Sequence, residues 1–390
     1  MRRSDSRPDA ALEPGKGAPE PAGSEPAVPG PDASEGDAPE PAAPASGRFA
    51  LVRASRVYIV LVNWNGWHDS IECLESLLRL GYPDYRIIVC DNDSSDGSVE
   101  RILQWAEGSL SHTPAGTPLA RFSTPACPKP VECRVAGPEE SWPDLPCATL
   151  TVLRTGANLG FAGGNNVGIR FARRQGDGAF FWLLNNDTVA APDALDHLVA
   201  RALAEDNPGI VGSTLFYYHR PDTVQALGGA CFSKYRGRSR LIGLGRQWDE
   251  IPGETLRRVE QSLHWVSGAS MLVSAPFCAT IGLMEERYFL YFEELDWSIR
   301  AKGRFGLGYA SGSVVYHKQG SATNEVGRSA TSIYYKVRSR LKLYRKLLPA
   351  YLPFCLAATA LEALVARKDR RGLRTMWRAM ADEFCREEKS

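Results

Sequence analysis

The chain has 390 residues, 44% hydrophobic and 23% charged, an ordinary globular composition long enough for one large domain or two small ones. Its net charge of +1 excludes a global field that would draw the molecule onto nucleic acid. Nine cysteines form no CxxC pair and no even framework, and Cys127, Cys133 and Cys147 lack a fourth nearby ligand for zinc, which predicts free thiols in a reducing cytoplasm.

Residues 1–47 hold ten of the 26 prolines, no aromatic residue, and nine acids against four basic residues. Such a segment cannot bury enough apolar surface to offset its ordering entropy, so residues 1–50 are predicted to be a disordered Pro/Ala-rich leader; without an apolar stretch it is not a secretory signal. From Val57, "VYIVLVNWN" is a continuous β-branched run, as expected of a parallel strand buried on both faces. "SIECLESLLRLGY" follows at helical spacing, "YRIIVCDNDSSDGS" is a second buried strand ending in acids and turn formers, and "SVERILQWAEG" is a helix. Strand, helix, strand, helix is the pattern of a right-handed βαβ unit in an open α/β sheet. Ligands of such sheets sit beyond the carboxyl ends of the strands, where Asn63 and Asp91 fall.

Residues 108–148, rich in Pro, Ser, Thr and Cys, read as an inserted loop. "ATLTVLRTG" restores the strand pattern, and "NLGFAGGNNVGIRFARRQG" is rich in Gly and Asn ahead of a short amphipathic helix. "FFWLLNNDTV" is a buried strand that runs into Asn185, Asn186 and Asp187, followed by the helix "DALDHLVARALAED" and the strand "GIVGSTLFYY". Residues 220–262 are basic, Gly-rich and weakly periodic. "HWVSGASMLVSA" and "GLGYASGSVVYHKQG" bracket "YFLYFEELDWSIRAKG". The α/β domain is expected over 56–330 and a helical, basic tail over 331–390. Between Tyr334 and Arg378 the tail carries 12 Lys or Arg against two acids, around the apolar run "YLPFCLAATALEALVA". That run is shorter than the roughly 20 residues of a spanning helix and is broken by Pro353 and Glu362, which favours an element lying on an anionic membrane surface; helices packed on the domain are the alternative.

Three groups of residues could carry chemistry. Asp187 closes a strand beside the amides of Asn185 and Asn186, in a sheet whose other ends present Asn63 and Asp91. A carboxylate there suits a hard divalent cation that keeps waters and bridges phosphate oxygens, and Asp187 lies too far upstream to cap the next helix. In "YFEELDW", Glu293 and Asp296 share a helix face and Glu294 points elsewhere, within a frame of Tyr291, Phe292 and Trp297. Carboxylates against aromatic rings are partly desolvated, which raises their pKa and suits a general base; a solvated helix start favoured by the dipole is the plainer reading. His317 ends the run "SVVYH" at another strand terminus, where an isolated histidine is more often structural. No P-loop, dinucleotide fingerprint or nucleophile elbow is present.

Taken together, "VNWNG", "DNDSSDGS", "NLGFAGGNNVGI", "LLNNDT", "WVSGASMLV", "YFLYFEELDWSIRAKG" and "VVYHKQGS" resemble glycosyltransferase family 2, in particular its bacterial rhamnosyltransferase-like members, over about residues 56–345. The resemblance implies a GT-A fold, a Rossmann-like, mostly parallel sheet flanked by helices, and an inverting mechanism with Mg2+ or Mn2+. It implies that Asn63 and Asp91 hold the nucleoside and that Asn158, Gly160, Phe161 and Asn165 line the ribose and diphosphate. Asp187 would bind the metal with His317 and Asn185, where Asn185 replaces the family's usual Asp. Glu294 matches the catalytic base, with Glu293 as its rival, and Asn186, Trp265, Gly268 and Asp296 would border the sugar and acceptor. The expected reaction moves L-rhamnose from dTDP-rhamnose, or another sugar from a UDP donor, onto a cell-surface glycan or lipid-linked acceptor at the inner face of the cell membrane. A nucleotidyltransferase would want a basic, Gly-rich loop after the first strand, which "NWNGWHDS" lacks; a scaffold with a degenerate site is supported only by Asn185.

Overall fold

The computed structural model describes residues 55–112, 116–142, 145–204, 208–318, 329–365 and 370–385. The leader expected at 1–50 lies outside the described residues. In chain order the elements are β1 (Val57–Asn63), α1 (Trp67–Leu77), β2 (Tyr85–Asp91), α2 (Ser98–Glu107), β3 (Cys133–Ala136), β4 (Leu150–Arg154), α3 (Gly160–Gln175), β5 (Phe180–Asn185), β6 (Thr188–Ala190) and α4 (Ala194–Ala202). Then follow β7 (Pro208–Tyr217), β8 (Arg220–Leu227), β9 (Gly229–Ser233), β10 (Arg238–Leu241), α5 (Gly253–Ser262), β11 (Trp265–Val266), β12 (Ser270–Ser274), α6 (Ala275–Ile281), α7 (Glu293–Ala301), β13 (Gly306–His317), α8 (Ala330–Leu347), α9 (Leu352–Val365) and α10 (Arg370–Cys385).

The main sheet runs β3-β4-β2-β1-β5-β12-β7-β13-β6, with β8 beside β7. It is mixed but mostly parallel: β1 pairs in parallel with β2 and β5, β4 with β2 and β3, and β13 with β7, as expected of a GT-A domain. The apolar run of β1 is continuous because both of its faces are covered. Val57, Ile59 and Leu61 belong to the cluster beneath α1, α2 and α4, and Tyr58 and Val60 to the cluster beneath α3, α6 and α7. Each such side chain contributes about 1.5–3 kcal/mol on burial.

The chain steps outward from β1 through β2, then returns to place β5 on the other side of β1. This reversal is the switch point where an open α/β sheet leaves a crevice at its carboxyl ends. Asn63 faces Asp91 in the β1–β2 register, and Val62 faces Asn185 in the β1–β5 register, so three polar strand ends rim that crevice.

Three stretches differ from the sequence expectation. Within residues 108–148, expected as an inserted loop, Cys133–Ala136 forms β3 and pairs in parallel with β4 at the edge of the main sheet. The Gly/Asn-rich segment is itself helical, since α3 begins at Gly160. Its glycines let the helix lie directly on the sheet: a methyl group on Gly168 would fall 2.4 Å from Val60 Cγ1. The weakly periodic stretch 220–262 forms β8, the small sheet β10-β9-β11 and α5, whose half-exposed strands carry no clean alternation.

In the described tail α8 packs on the domain, where Val337, Leu341 and Tyr344 cluster with Tyr288 and Leu295, and its charges are paired. Arg340 pairs with Glu362, Lys346 with Glu285 and Asp296, and Arg345 with Glu383. The described cysteines are free thiols.

Candidate functional site

Asp91 and Asn63 form the first wall. Asn63 is fully buried: its Nδ2 donates to Asp91 Oδ1 at 2.8 Å and to Ser94 Oγ at 3.1 Å, and its Oδ1 accepts from Ser70 Oγ at 2.8 Å. The backbone N–H of Ser94 donates to the other Asp91 oxygen. Asn63 therefore lies beneath the crevice and orients Asp91, with no group left over for a ligand. Asn186 joins the same network, its Nδ2 donating to Ser70 Oγ at 2.8 Å and Asn63 Oδ1 at 3.3 Å. Ser70 and Ser94, which sequence reasoning passed over, hold this wall together. A serine one turn into a helix carries no signal of such a role.

The second wall is the start of α3. Asn158 Oδ1 accepts from the Gly160 N–H at 3.0 Å, and Asn165 Nδ2 donates back to the Phe161 carbonyl at 2.9 Å. Gly160 has φ +69° and leaves room for the Phe289 carbonyl, 2.2 Å from where a methyl group would sit, so only glycine fits. Asn165 is buried and shapes this turn from below.

Asp187 lies in the turn between β5 and β6, and His317 ends β13, paired in register with Thr188. Asp187 Oδ1 stands 3.1 Å from His317 Nε2, and Asn185 Nδ2 stands 3.3 Å from the same nitrogen. Gln225 Oε1, on β8, stands 2.8 Å from His317 Nδ1 and orients the ring so that Nε2 faces the carboxylate. A ring nitrogen and a carboxylate oxygen 3.1 Å apart have the spacing of two ligands that could share one divalent cation. Among the described residues no cluster of three His, Cys, Asp or Glu is present, so further ligands would be phosphate oxygens and water, the usual habit of Mg2+. Gln225 falls in the weakly periodic stretch and had no sequence signal.

Glu293 and Glu294 open α7, after Tyr291 and Phe292, both left-handed at φ 69° and 75°. Burial pushes Glu294 up to about 7, opposed by its own N–H and that of Gly268. Glu293 is 2% exposed, its Oε2 has no hydrogen-bond partner, and burial, then the charge of Glu294, holds it well above the ordinary carboxylate value. Burial thus outweighs the helix dipole, which would favour the ionised acids. Of the two, Glu294 is the half-buried one that reaches the crevice. A methyl group on Gly268 would lie 2.5 Å from Glu294 Oε1 and 2.9 Å from Phe161 Cζ, while the next residue's carbonyl, that of Ala269, accepts from the Asn185 N–H at 3.1 Å. The Gly268–Ala269 segment thereby joins the carboxylate, the α3 wall and the Asp187 turn into one site.

Asp296 does not belong to it. It is fully buried, bound to Arg300 Nε at 2.6 Å, Tyr288 OH at 3.1 Å and Lys346 Nζ at 3.2 Å, and braces α7 against α8. Sharing a helix face with Glu293 turned it inward, away from substrate. Trp265 is half-buried, donates from Nε1 to Ser239 Oγ at 3.0 Å, and packs in the cluster under α8.

The sequence profile described as "Glycosyl transferase family 2" matches residues 58–114 and 147–250. Curated relatives named N-acetylglucosaminyl-diphospho-decaprenol L-rhamnosyltransferase, from the CDC 1551 and H37Rv strains of Mycobacterium tuberculosis, are 28% identical over 185 residues, 43% of this chain. The match spans 59% of those relatives' length. Solved structures overlay more loosely: Staphylococcus aureus TarS 1–349 at TM-score 0.46 with 11% identity, over 84% of this chain and 80% of that one, and the mannosyltransferase PcManGT of Pyrobaculum calidifontis, in complex with GDP-Man and Mn2+, at 0.43 with 15%, over 85% and 88%. The profile runs through β1, β2, α3 and β5, the elements that carry Asp91, Phe161 and Asp187, so this chain is similar to glycosyltransferase family 2 across the part of the fold that builds the site.

Proposed function

We propose that the protein is an inverting glycosyltransferase that moves L-rhamnose from a dTDP-linked donor to a lipid-linked or cell-surface glycan acceptor. The observation that carries this reading is a half-buried carboxylate with raised pKa, Glu294, joined through Gly268–Ala269 to the Asp187–His317 pair at the switch point of the sheet. The rhamnosyltransferase name of the curated relatives supports the sugar and the lipid-linked acceptor. Among the described residues no helix is long and apolar enough to cross a membrane, and we place the protein in the cytoplasm at the inner membrane face, against its acceptor.

In this reading Asp91, held by Asn63 and Ser94, binds the nucleoside, and the Gly160–Phe161 turn supports the ribose and diphosphate. Asp187 and His317, with Asn185 beside them, would hold Mg2+ or Mn2+. When bound, the cation would offset charge growing on the departing diphosphate. Glu294 takes the proton from the acceptor hydroxyl as that oxygen bonds to the anomeric carbon and the carbon–phosphate oxygen bond breaks on the opposite face. Configuration inverts, and no covalent intermediate with the chain forms. A pKa near neutrality suits Glu294, since it is ionised when the acceptor arrives yet basic enough to hold the proton.

Thermal stability with dTDP, UDP or GDP, each with and without Mn2+, tests the donor site. A ligand at about 100 times its Kd stabilises the fold by about 2.7 kcal/mol. Metal-dependent stabilisation by dTDP is expected. Stabilisation by UDP alone would replace the donor, and none by any nucleotide would leave a non-catalytic scaffold and overturn the reading.

A further inference from the structure

The 12 Lys and Arg between Tyr334 and Arg378 are not equivalent once folded. Those of α8 are spent inside the protein: Arg338 and Arg345 reach Glu383, Arg340 reaches Glu362 and Thr359, Lys346 reaches Glu285 and Asp296, and Lys342 donates to the Arg287 carbonyl. The arginines tie α8 to α9 and α10, and Lys342 and Lys346 tie it to the domain, so these charges are engaged within the protein.

The outer face of α10 is different. Arg371, Arg374 and Arg378, spaced three and four apart, form one stripe and with Thr375 line a cavity of about 400 Å3. Arg378 meets Asp382 only at 3.7 Å with its side chain 75% exposed, a contact too wet to neutralise it. Beside this stripe stand Trp377 and Phe384, seven residues apart and 55% and 46% exposed. The opposite side, with Met376, Ala379 and Glu383, is buried. Both acids of the helix are engaged with α8, Asp382 by Tyr334 and Glu383 by Arg345, so the outer face keeps its positive charge. On α9, Phe354 and Leu361 are again seven apart and exposed. That helix has 14 residues, about 21 Å, too short for the roughly 30 Å of a bilayer core, so these side chains suit a surface and not a span.

We propose that the outer face of α10, through Arg374, Arg378 and Trp377, docks on an anionic lipid bilayer. This deepens the membrane placement proposed above by naming the surface. Arginines beside exposed aromatic rings are the composition of an interfacial helix: the rings enter the headgroup boundary while the guanidinium groups meet lipid phosphates. The bilayer is favoured over an acidic protein partner because the face combines charge with isolated large apolar side chains, Trp377 and Phe384, that a headgroup boundary accepts one by one.

Flotation of the full chain with vesicles of phosphatidylcholine alone or with added phosphatidylglycerol, at low and raised salt, tests this. Binding is expected only to the anionic vesicles and is expected to weaken with salt. R374E/R378E should lower it at least about tenfold. W377S should weaken the binding that persists at raised salt. R257E/R258E, an equal charge change on exposed arginines of α5, should bind like wild type. Failure of wild type to bind anionic vesicles, unchanged binding by R374E/R378E, or an equal loss in R257E/R258E would each overturn the proposal. Nucleotide-induced thermal stabilisation of every variant is read in parallel. Intact stabilisation with failed flotation counts against the docking face alone, and lost stabilisation in wild type against the transferase reading.

Discussion

Two adjacent glutamates at the start of α7 differ in exposure. Glu294 reaches the crevice with its pKa raised to about 7, while Glu293 is sealed beneath it with one oxygen unpartnered. Turnover should therefore rise with pH through about 7 and then level off. E294Q should lower turnover by about 10²–10⁴-fold with nucleotide binding kept, whereas E293Q, at a buried carboxyl with one oxygen unpartnered and turned away from the crevice, should change it far less. The stability sign runs the other way. With a folded pKa above the unfolded one, ionised Glu294 costs stability above about 7, and that cost disappears below the ordinary carboxylate value of 4.5. E294Q should thus melt higher than wild type at pH 8 and match it in acid, read by thermal denaturation; a lower melting point at pH 8 would contradict the burial argument. Gln225 reaches the Asp187–His317 pair through His317 Nδ1. Q225L should weaken Mn2+ binding by about 10–100-fold, measured by calorimetry, and equal affinity would remove Gln225 from the metal site.

Among the elements, the inserted segment 108–148 does more than fill a gap between strands. Leu119 packs with Val189 of β6 and with Tyr218, and Phe122 stacks on Tyr316, whose neighbour is His317, at 5.7 Å between ring centres. The segment therefore buttresses both strand ends that carry the Asp187–His317 pair. It is pinned to the domain by Glu75, fully buried, which accepts from the Cys127 N–H at 2.7 Å, Trp105 Nε1 at 2.8 Å and Lys129 Nζ at 3.3 Å. Burial alone would raise Glu75, but the bonds from Cys127 and Trp105 outweigh it and hold its pKa below the usual carboxylate value. Stability from this carboxylate is then present above the usual value and lost as pH falls through the depressed one. E75Q should cost about 2 kcal/mol in urea unfolding at neutral pH and little in acid. At the Gly268–Ala269 segment, G268A should force Glu294 or Phe161 aside and lower turnover more than nucleotide affinity; unchanged turnover would show that the carboxylate has room to move.

At the scale of the whole molecule, the sequence by itself determined the α/β class, the strands β1, β2, β4 and β5 in order with the helices α1 and α2, and the polar strand ends Asn63, Asp91, Asn185 and Asp187. These are local signals: continuous apolar runs mark strands covered on both faces, and a run that stops in Asn or Asp marks the end of a strand at a crevice. The glycine-rich helix α3 was hidden, because glycine lowers helix propensity and the reason for it is the approach to Val60 of β1. Only the tertiary structure decided which carboxylates face the crevice. Helical spacing pairs Asp296 with Glu293, but Arg300 and Lys346 come from later turns of the chain to claim Asp296. It also decided that His317, Gln225 and Asp187 meet, since they lie on three strand ends far apart in sequence, and a contact of that kind leaves no periodicity to read. Charge in the tail was countable from the start, but its division was not: an arginine is spent or exposed according to whether Glu362 or Glu383 folds back against it, and that is fixed only when α8, α9 and α10 pack.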